Sequence, residues 1–144
     1  MTTTKREEMA QRLYERLQAV PGLQALGLAF SRSLFAALDM RGKKRVLVVH
    51  HGKEQLGAES TAEIDRHAVL IVTIVTRDPD PDSLSEAAFA LMHPAVMTFT
   101  DPALIDISEL GTDAPSYDNL GGIVGARAVH YDFFYRTGRD SLSA

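Results

Sequence analysis

The five histidines are the residues of this sequence best suited to do chemistry, because imidazole binds metals and transfers protons near neutral pH. His50 and His51 are adjacent, so on a strand they would point to opposite faces of a sheet and could not share a metal. His67, His93 and His130 stand apart, without a Glu or His at the spacing of a ligand pair. The spacing therefore predicts structural histidines and no metal site.

Other patterns that carry chemistry are also incomplete. A metal-dependent nuclease needs an acidic residue followed by an acid-x-Lys motif at a strand end, and neither Lys53-Glu54 nor Glu63-Ile64-Asp65 has that spacing. No Gly-x-Ser-x-Gly turn accompanies the serines. The glycines at 121, 122 and 125 lack the lysine and the following helix of a phosphate-binding loop. The sequence thus predicts no catalytic residue and no cofactor.

Length and composition are those of an ordinary globular domain. The chain has 144 residues, 45% hydrophobic and 24% charged, and a chain of this size forms one domain by default. It contains no cysteine, which excludes disulfide scaffolds, thiol catalysis and cysteine-based zinc sites. The net charge of −4 argues against binding nucleic acid over a broad surface. No stretch has the character of a signal peptide or a membrane span, so we expect a soluble protein made in the cytoplasm.

Two groups of charged and polar residues are candidates for binding a partner. The first is a basic turn, and the second is the polar stretch 52–61, which is longer than a hairpin connection requires. Charges at a sheet edge also block unwanted strand pairing, so a solvated hairpin tip is the alternative interpretation of the basic turn. The candidate interface residues are Arg41, Lys43, Lys44 and Arg45 in the turn, with Lys53, Glu54, Gln55 and Glu59 in the polar stretch.

A run of β-branched residues within 64–77 is the element that must position these candidates. Such side chains pack well on a pleated surface, and this run is apolar on both faces in its middle, which predicts a central strand. It ends at Asp78-Pro79-Asp80-Pro81, because proline removes ladder donors. The β-branched residues are Val69, Ile71, Val72, Thr73, Ile74, Val75 and Thr76.

Two amphipathic helices are predicted to cover this strand. Residues 4–20 begin with Thr4 and Glu7 at capping-box spacing and stop at Pro21-Gly22. The second helix begins at Ser83 and ends near His93, because Pro94 disfavours helical geometry in the residue before it. The apolar stripes are Met9, Leu13, Leu17 and Val20 in the first helix, and Leu84, Ala87, Ala88 and Leu91 in the second.

The remaining segments complete an α+β domain. Strands are predicted at 26–30, 46–51, 104–110 and 126–137, and a strand is also favoured for the ambiguous segment 34–38. Stretches 52–61 and 111–122 are predicted loops, and the tail after residue 138 is expected to be frayed. The order α-β-β-β-α-β-β predicts a mainly antiparallel sheet of about five strands with two helices packed on one face.

Taken along most of its length, the chain resembles the bacteriophage tail terminator proteins, the lambda-type small tail proteins that cap the tail tube. Five features carry this resemblance, and they are patterns of elements rather than a catalytic signature. They are the first helix ending at Pro21-Gly22, the strand 46–54 entering a polar hairpin, the apolar strand closing on Thr76-Arg77-Asp78, the helix from Ser83, and the terminal Tyr135-Arg136-Thr137.

The resemblance implies a role in virion assembly without catalysis. Family members form a homo-hexameric ring on the finished tube, stop its polymerisation and present the surface that joins tail to head. The implied partners are the tail tube protein and a neck or head-completion protein. DNA would be only cargo passing through the ring, no membrane would be involved, and the implied location is the tail of the virion.

On the residues alone, two other classes stay open. One is a small α+β ligand-binding or regulatory module, for which a saturable thermal shift with a metabolite would be the sign. The other is a metal-dependent nuclease, which would cleave DNA only with metal present. A ring of copies on isolated tubes would favour the terminator interpretation instead.

Overall fold

A computed structural model describes residues 3–39, 43–78, 80–119 and 123–144. Within these ranges the fold is α+β, with four helices and six strands rather than the two helices and about five strands expected. The helices are α1 (Lys5–Gln18), α2 (Pro21–Ala25), α3 (Leu34–Leu38) and α4 (Pro81–Met97). The strands are β1 (Ala29–Ser31), β2 (Arg45–Glu59), β3 (Glu63–Thr76), β4 (Leu104–Thr112), β5 (Ser116–Asn119) and β6 (Ile123–Gly138).

The six strands form one sheet in the order β1-β2-β3-β6-β4, with β5 pairing alongside β6. Only β1 and β2 run parallel, and the other pairs are antiparallel. β3 pairs with β6 from Glu63↔Gly138 to Thr76↔Gly125 and with β2 on its other side. The predicted central strand is therefore confirmed.

The main core lies between one face of the sheet and three helices, α1, α2 and α4. Alternate residues of β6 face these helices, and Tyr131, Phe133 and Tyr135 are among the largest fully buried side chains. Burial of each such side chain contributes about 1.5–3 kcal/mol before entropy. The two long helices share one face, as predicted, but the packing differs from the prediction because α2 also covers this face and α3 covers part of the opposite one. Their buried residues in this core are Met9, Ala10, Leu13 and Leu17 of α1, and Ala88, Phe89, Met92 and Val96 of α4.

The strand favoured for residues 34–38 is wrong, because this segment is the helix α3. Ser33 caps it by accepting a hydrogen bond from the Ala36 amide at 3.1 Å. Leu34, Ala37 and Leu38 then pack on a second cluster on the opposite sheet face. A segment of five residues is too short for its apolar pattern to distinguish a helix from a strand. Burial against the sheet therefore decides the conformation of residues 34–38. The other members of this cluster are Val46, Val48, Val75 and Val124, with Ala29 and Ala126 partly buried beside them.

The loop predicted at 52–61 is also wrong, because β2 continues to Glu59 and pairs with β3 as far as Glu59↔Ile64. Only residues 60–62 connect the two strands. The polar composition of residues 52–59 indicated a loop. A strand at the sheet margin can nevertheless have polar side chains when its backbone hydrogen bonds to the neighbouring strand are made. Register shifts between His51 and Glu54 and between Leu56 and Glu59 bend this arm.

Helix α4 differs from the prediction at both ends. Its N-cap is Asp80, which accepts from the Ser83 amide at 3.4 Å, and Pro81 occupies the first turn. The helix continues through Pro94 to Met97 rather than ending near His93. Pro94 is exposed, so the carbonyl left without an amide partner can be hydrated while Met92 and Val96 are buried.

The first helix ends before Pro21-Gly22, as predicted, and its last residue is Gln18. A short helix that was not predicted, α2, then begins at Pro21. Thr4 does cap α1, accepting from the Glu7 amide at 3.2 Å, as the sequence predicts. Gly27 follows α2 with φ of +75°, the left-handed conformation that glycine adopts at low cost. This reversal turns the chain into β1.

Two further expectations about irregular segments are corrected. Within the predicted loop 111–122, residues 116–119 form β5 against the start of β6, while 120–122 lie outside the described residues. The tail after residue 138, expected to be frayed, is hydrogen-bonded to the start of the chain. The Lys5 amide donates to the Leu142 carbonyl at 2.7 Å, and the Ser143 hydroxyl donates to the Thr3 carbonyl at 2.8 Å.

Candidate interaction surfaces

The β2–β3 hairpin separates the two predicted groups of interface residues. Arg45 pairs with Thr76 at one end of β2, and Glu59 pairs with Ile64 at the other. Their partners in β3, Thr76 and Ile64, are 12 residues apart, so at about 3.3 Å per residue the two ends are about 40 Å apart. The basic turn and the outer part of the hairpin therefore form two distinct surfaces.

Arg45 is a structural residue at the first end. Its Nε and Nη2 donate to the two Asp78 carboxylate oxygens, each at 3.0 Å, and its Nη1 donates to the Leu26 carbonyl at 2.7 Å. The hydrogen bond from Arg45 holds the pKa of Asp78 below its ordinary value, although burial acts in the opposite direction. The Thr76 hydroxyl donates a further bond to Asp78 at 2.6 Å. This network joins β2 to the end of β3.

Glu54 is likewise structural. One of its carboxylate oxygens lies 2.5 Å from Nη1 of Arg6 and 3.5 Å from Nη1 of Arg66, and the other accepts from the Tyr135 hydroxyl. Burial raises the pKa of Tyr135, and the bond to Glu54 adds to that effect. Arg66 also donates to the Thr137 hydroxyl at 2.9 Å. Glu54 therefore holds α1, β2, β3 and β6 together.

The other predicted interface residues are solvent-exposed where the structure describes them. Lys53 lies at a register shift, Gln55 pairs across the ladder with His67, and Glu59 lies 3.7 Å from Nε of Arg139. Lys43 and Lys44 are exposed just before β2. Arg41 lies outside the described residues.

Around α3, an exposed aromatic ring accompanies the two lysines. Phe35 is 84% exposed on the outer side of this helix. Arg77 donates to the Leu38 and Lys43 carbonyls, and so ties the end of β3 to α3 and to the segment before β2. We call Phe35, Lys43 and Lys44 the α3 corner. Asp39, at the end of α3, offsets part of its positive charge.

The outer edge of β4 is a second exposed apolar surface, and the sequence interpretation did not identify it. Ile105 is 48% exposed and Leu110 is 56% exposed. Residues 104–113 contain three carboxylates and no Lys or Arg, a signal that was readable from composition. We call Ile105, Asp106, Glu109, Leu110 and Asp113 the β4 edge.

Three of the histidines have protein partners on the sheet face opposite the long helices. His67 stacks on Phe134 with ring centroids 4.5 Å apart and bonds Asp132 through Nδ1 at 2.8 Å. His130 lies 2.9 Å from Asp113, and His50 lies 2.8 Å from the Thr73 hydroxyl. Burial lowers the pKa of His50. Among the described residues, no group of three or more His, Cys, Asp or Glu side chains is placed to hold a metal ion.

The concave surfaces of the described chain are open grooves. One of about 670 Å³ lies between α1 and α4, where Arg12, Arg16 and Phe99 contribute to its lining. Another of about 450 Å³ lies on the sheet face opposite the long helices, with Val69, Ile71 and Leu110 in its lining. No helix in the described ranges is both long and apolar enough to cross a membrane.

Comparison with known proteins gives a likeness of fold. No family model matches the chain, and no curated protein does. Among solved structures, its fold is similar to that of a chain in the virion of a native gene transfer agent particle, with a TM-score of 0.58. The match covers 85% of this chain and 91% of that chain at 16% sequence identity, a likeness of fold.

Proposed function

We propose that this chain is a structural protein of a phage-like virion and acts as a tail terminator. In this proposal a hexameric ring of copies caps the tail tube, ends tube polymerisation and presents the surface that joins the head. The observation that carries it is the likeness of fold to a virion chain, which extends over 91% of that chain. The pattern resemblance to tail terminators supports the same role.

The shape of the β2–β3 hairpin supports a subunit that lies between two partners. Its two ends, about 40 Å apart, differ in chemistry. Lys43 and Lys44 lie near one end, whereas Glu59 and Arg139 lie at the other. A ring of such subunits would present different chemistry to the tube protein on one side and to a neck or head-completion protein on the other. Its role is architectural rather than enzymatic, with DNA as passing cargo.

Electron microscopy of tail tubes tests this function. The purified chain is mixed with growing tubes of its own tail tube protein, and tubes without the chain serve as the control. We expect a ring of sixfold symmetry at one tube end and an arrest of elongation. Tubes that elongate as in the control and bear no ring would contradict the proposal, as would a stable two-fold dimer in every condition.

A further inference from the structure

The α3 corner and the β4 edge lie at opposite margins of the same sheet. The corner adjoins β1 and the start of β2, whereas β4 is the last strand on the other side. With five strands at about 4.8 Å spacing, the two surfaces are about 19 Å apart across the sheet. A contact between them must therefore join two copies of the chain.

The charges of the two surfaces are complementary. The β4 edge has Asp106, Glu109 and Asp113 with no Lys or Arg in its own segment, although Arg127 of β6 donates to the Asp113 carbonyl at 3.1 Å. The α3 corner has two exposed lysines. Histidines adjoin two of the carboxylates: His93 lies 3.7 Å from Glu109, and His130 lies against Asp113. Two copies of the same edge would repel each other, so this surface favours a different partner surface.

Both surfaces also have apolar area to bury. Phe35 on the corner is more exposed than any other large hydrophobic side chain described, and Ile105 and Leu110 are half-exposed on the edge. Aromatic and aliphatic side chains of this kind provide the desolvated centre of protein interfaces. Charged residues around them would then set orientation and selectivity.

The backbone of β4 explains why its apolar residues project. Each of two register shifts in β4 leaves one extra residue without a partner in β6. These residues are Ile105, between Leu104 and Asp106, and Leu110, between Glu109 and Gly111. Gly111 has φ of +148°, which favours glycine at this bulge. Bulges and like charges hinder indiscriminate pairing of edge strands, so the edge is suited to a cationic partner rather than to another strand.

We propose that the α3 corner of one copy binds the β4 edge of the next, so that copies join head-to-tail. Phe35 packs against Leu110, which lies on the same side of the sheet as Asp113, while Lys43 and Lys44 face the carboxylates of the β4 edge. Because the contact uses two different surfaces on opposite margins, it closes into a ring when the rotation per subunit allows. This inference rests on the proposed ring function and assigns its subunit contact.

Cysteine cross-linking of the isolated protein tests the contact, since the parent chain has no cysteine. We expect the A36C/S108C variant, whose substitutions lie at exposed positions beside the contact and keep Phe35 and Leu110, to give a ladder of products from dimer upward when it is treated at high concentration with a short bismaleimide. A mixture of the A36C and S108C single variants should stop at the dimer, because each chain then has one reactive residue. Dimer as the largest product of the double variant, or no product, would overturn the head-to-tail contact.

Charge reversal provides a second test, and a folding defect could not produce its expected result. In the A36C/S108C background, K43E/K44E makes both surfaces negative and D106K/E109K makes the β4 edge positive like the α3 corner, so each variant alone should lose the ladder. Mixing the two should restore it, because each surface then meets its opposite in alternating copies. An E15K/D140K variant, reversed elsewhere on the surface, should keep the ladder. Failure of the mixture to restore it would overturn the proposal.

The cross-linking result is independent of tube capping. A ladder from a protein that does not cap tubes would support the contact and contradict the terminator function. Capped tubes formed by a protein that gives no ladder would support the terminator function and contradict the contact.

Discussion

At the scale of single residues, one carboxylate joins groups from three elements. Glu54 contacts Arg6 of α1, Arg66 of β3 and Tyr135 of β6, although the last is 81 positions away in sequence. Charge-assisted bonds of this kind are stronger than neutral ones, and their loss leaves several buried or half-buried groups without a partner. Gln55, the next residue, is exposed and contributes little to this network.

We therefore expect Glu54→Ala to lower the free energy of unfolding by about 1–3 kcal/mol. The matched Gln55→Ala change should stay within about 0.5 kcal/mol of the parent. Urea denaturation of the three proteins measures both effects. Equal stability of the two variants would contradict the structural role of Glu54.

The lowered pKa of Asp78 predicts how the free energy of unfolding depends on pH. Because its pKa in the folded protein lies below the ordinary 3.8, the bond with Arg45 stabilises the fold above pH 3.8, and this contribution is lost as pH falls through the folded pKa. We expect Asp78→Asn to be less stable than the parent at neutral pH and to lose less stability on acidification. Denaturation midpoints over a pH series provide the measurement.

Removal of the donor provides the control for this prediction. Arg45→Gln should flatten the same acid-dependent part of the curve, since Asp78 then lacks its guanidinium partner. If either variant follows the parent in parallel at all pH values, the ion pair is not the source of the acid sensitivity.

At the scale of elements, the outer arm of the β2–β3 hairpin is part of the sheet. Residues 52–59 of β2 pair with β3 through contacts such as Glu54↔Ala68 and Leu56↔Arg66. Gly52 lies where a Cβ would be 2.9 Å from Cγ1 of Val69, so the side chains of β3 lie across it. This arm has polar side chains, and the pairing of its backbone with β3 holds it in the sheet.

Deletion of residues 52–61 in favour of a two-residue Asn-Gly turn should therefore unfold or aggregate the protein, because part of β3 loses its partner strand. Changing only Thr61 and Ala62 to Asn and Gly should keep the melting temperature within a few degrees, since both residues are exposed in the connection. Thermal unfolding and size-exclusion chromatography test the pair. A deletion variant that melts like the parent would show that the arm is dispensable.

At the scale of the whole molecule, the two ends of the described chain meet. Backbone and side-chain bonds join Lys5 to Leu142 and Thr3 to Ser143. The Arg139 amide also donates to the Ala62 carbonyl at 2.9 Å, which ties the tail to the hairpin turn. The tail thus links the start of α1 to the outer end of the sheet.

Removal of residues 139–144 should leave the fold intact but lower the melting temperature by a few degrees for each kcal/mol lost.

Removal from Ala126 onward should give insoluble protein, because β6 supplies Tyr131, Phe133 and Tyr135 to the core and pairs with β3, β4 and β5. Circular dichroism and sedimentation distinguish the outcomes. A soluble, native-like protein without β6 would contradict its central place in the sheet.

The sequence by itself determined the elements whose signal is long and local. The β-branched run of β3, the apolar stripe of α1 and the alternation along β6 each extend over eight or more residues, so one conformation fits them far better than another. It also predicted the α+β class. The candidate interface residues Lys43, Lys44, Lys53, Gln55 and Glu59 are exposed, and their role in binding a partner stays a prediction.

Only the tertiary structure decided the elements and residues whose state depends on distant partners. The five-residue α3 is helical because it packs against the sheet, and the polar arm of β2 is a strand because β3 completes its ladder. Arg45 and Glu54 read as surface charges in sequence, but their partners lie 33 and 81 positions away. The exposure of Phe35 and of the β4 edge is likewise set by what packs beside them, which no local pattern encodes.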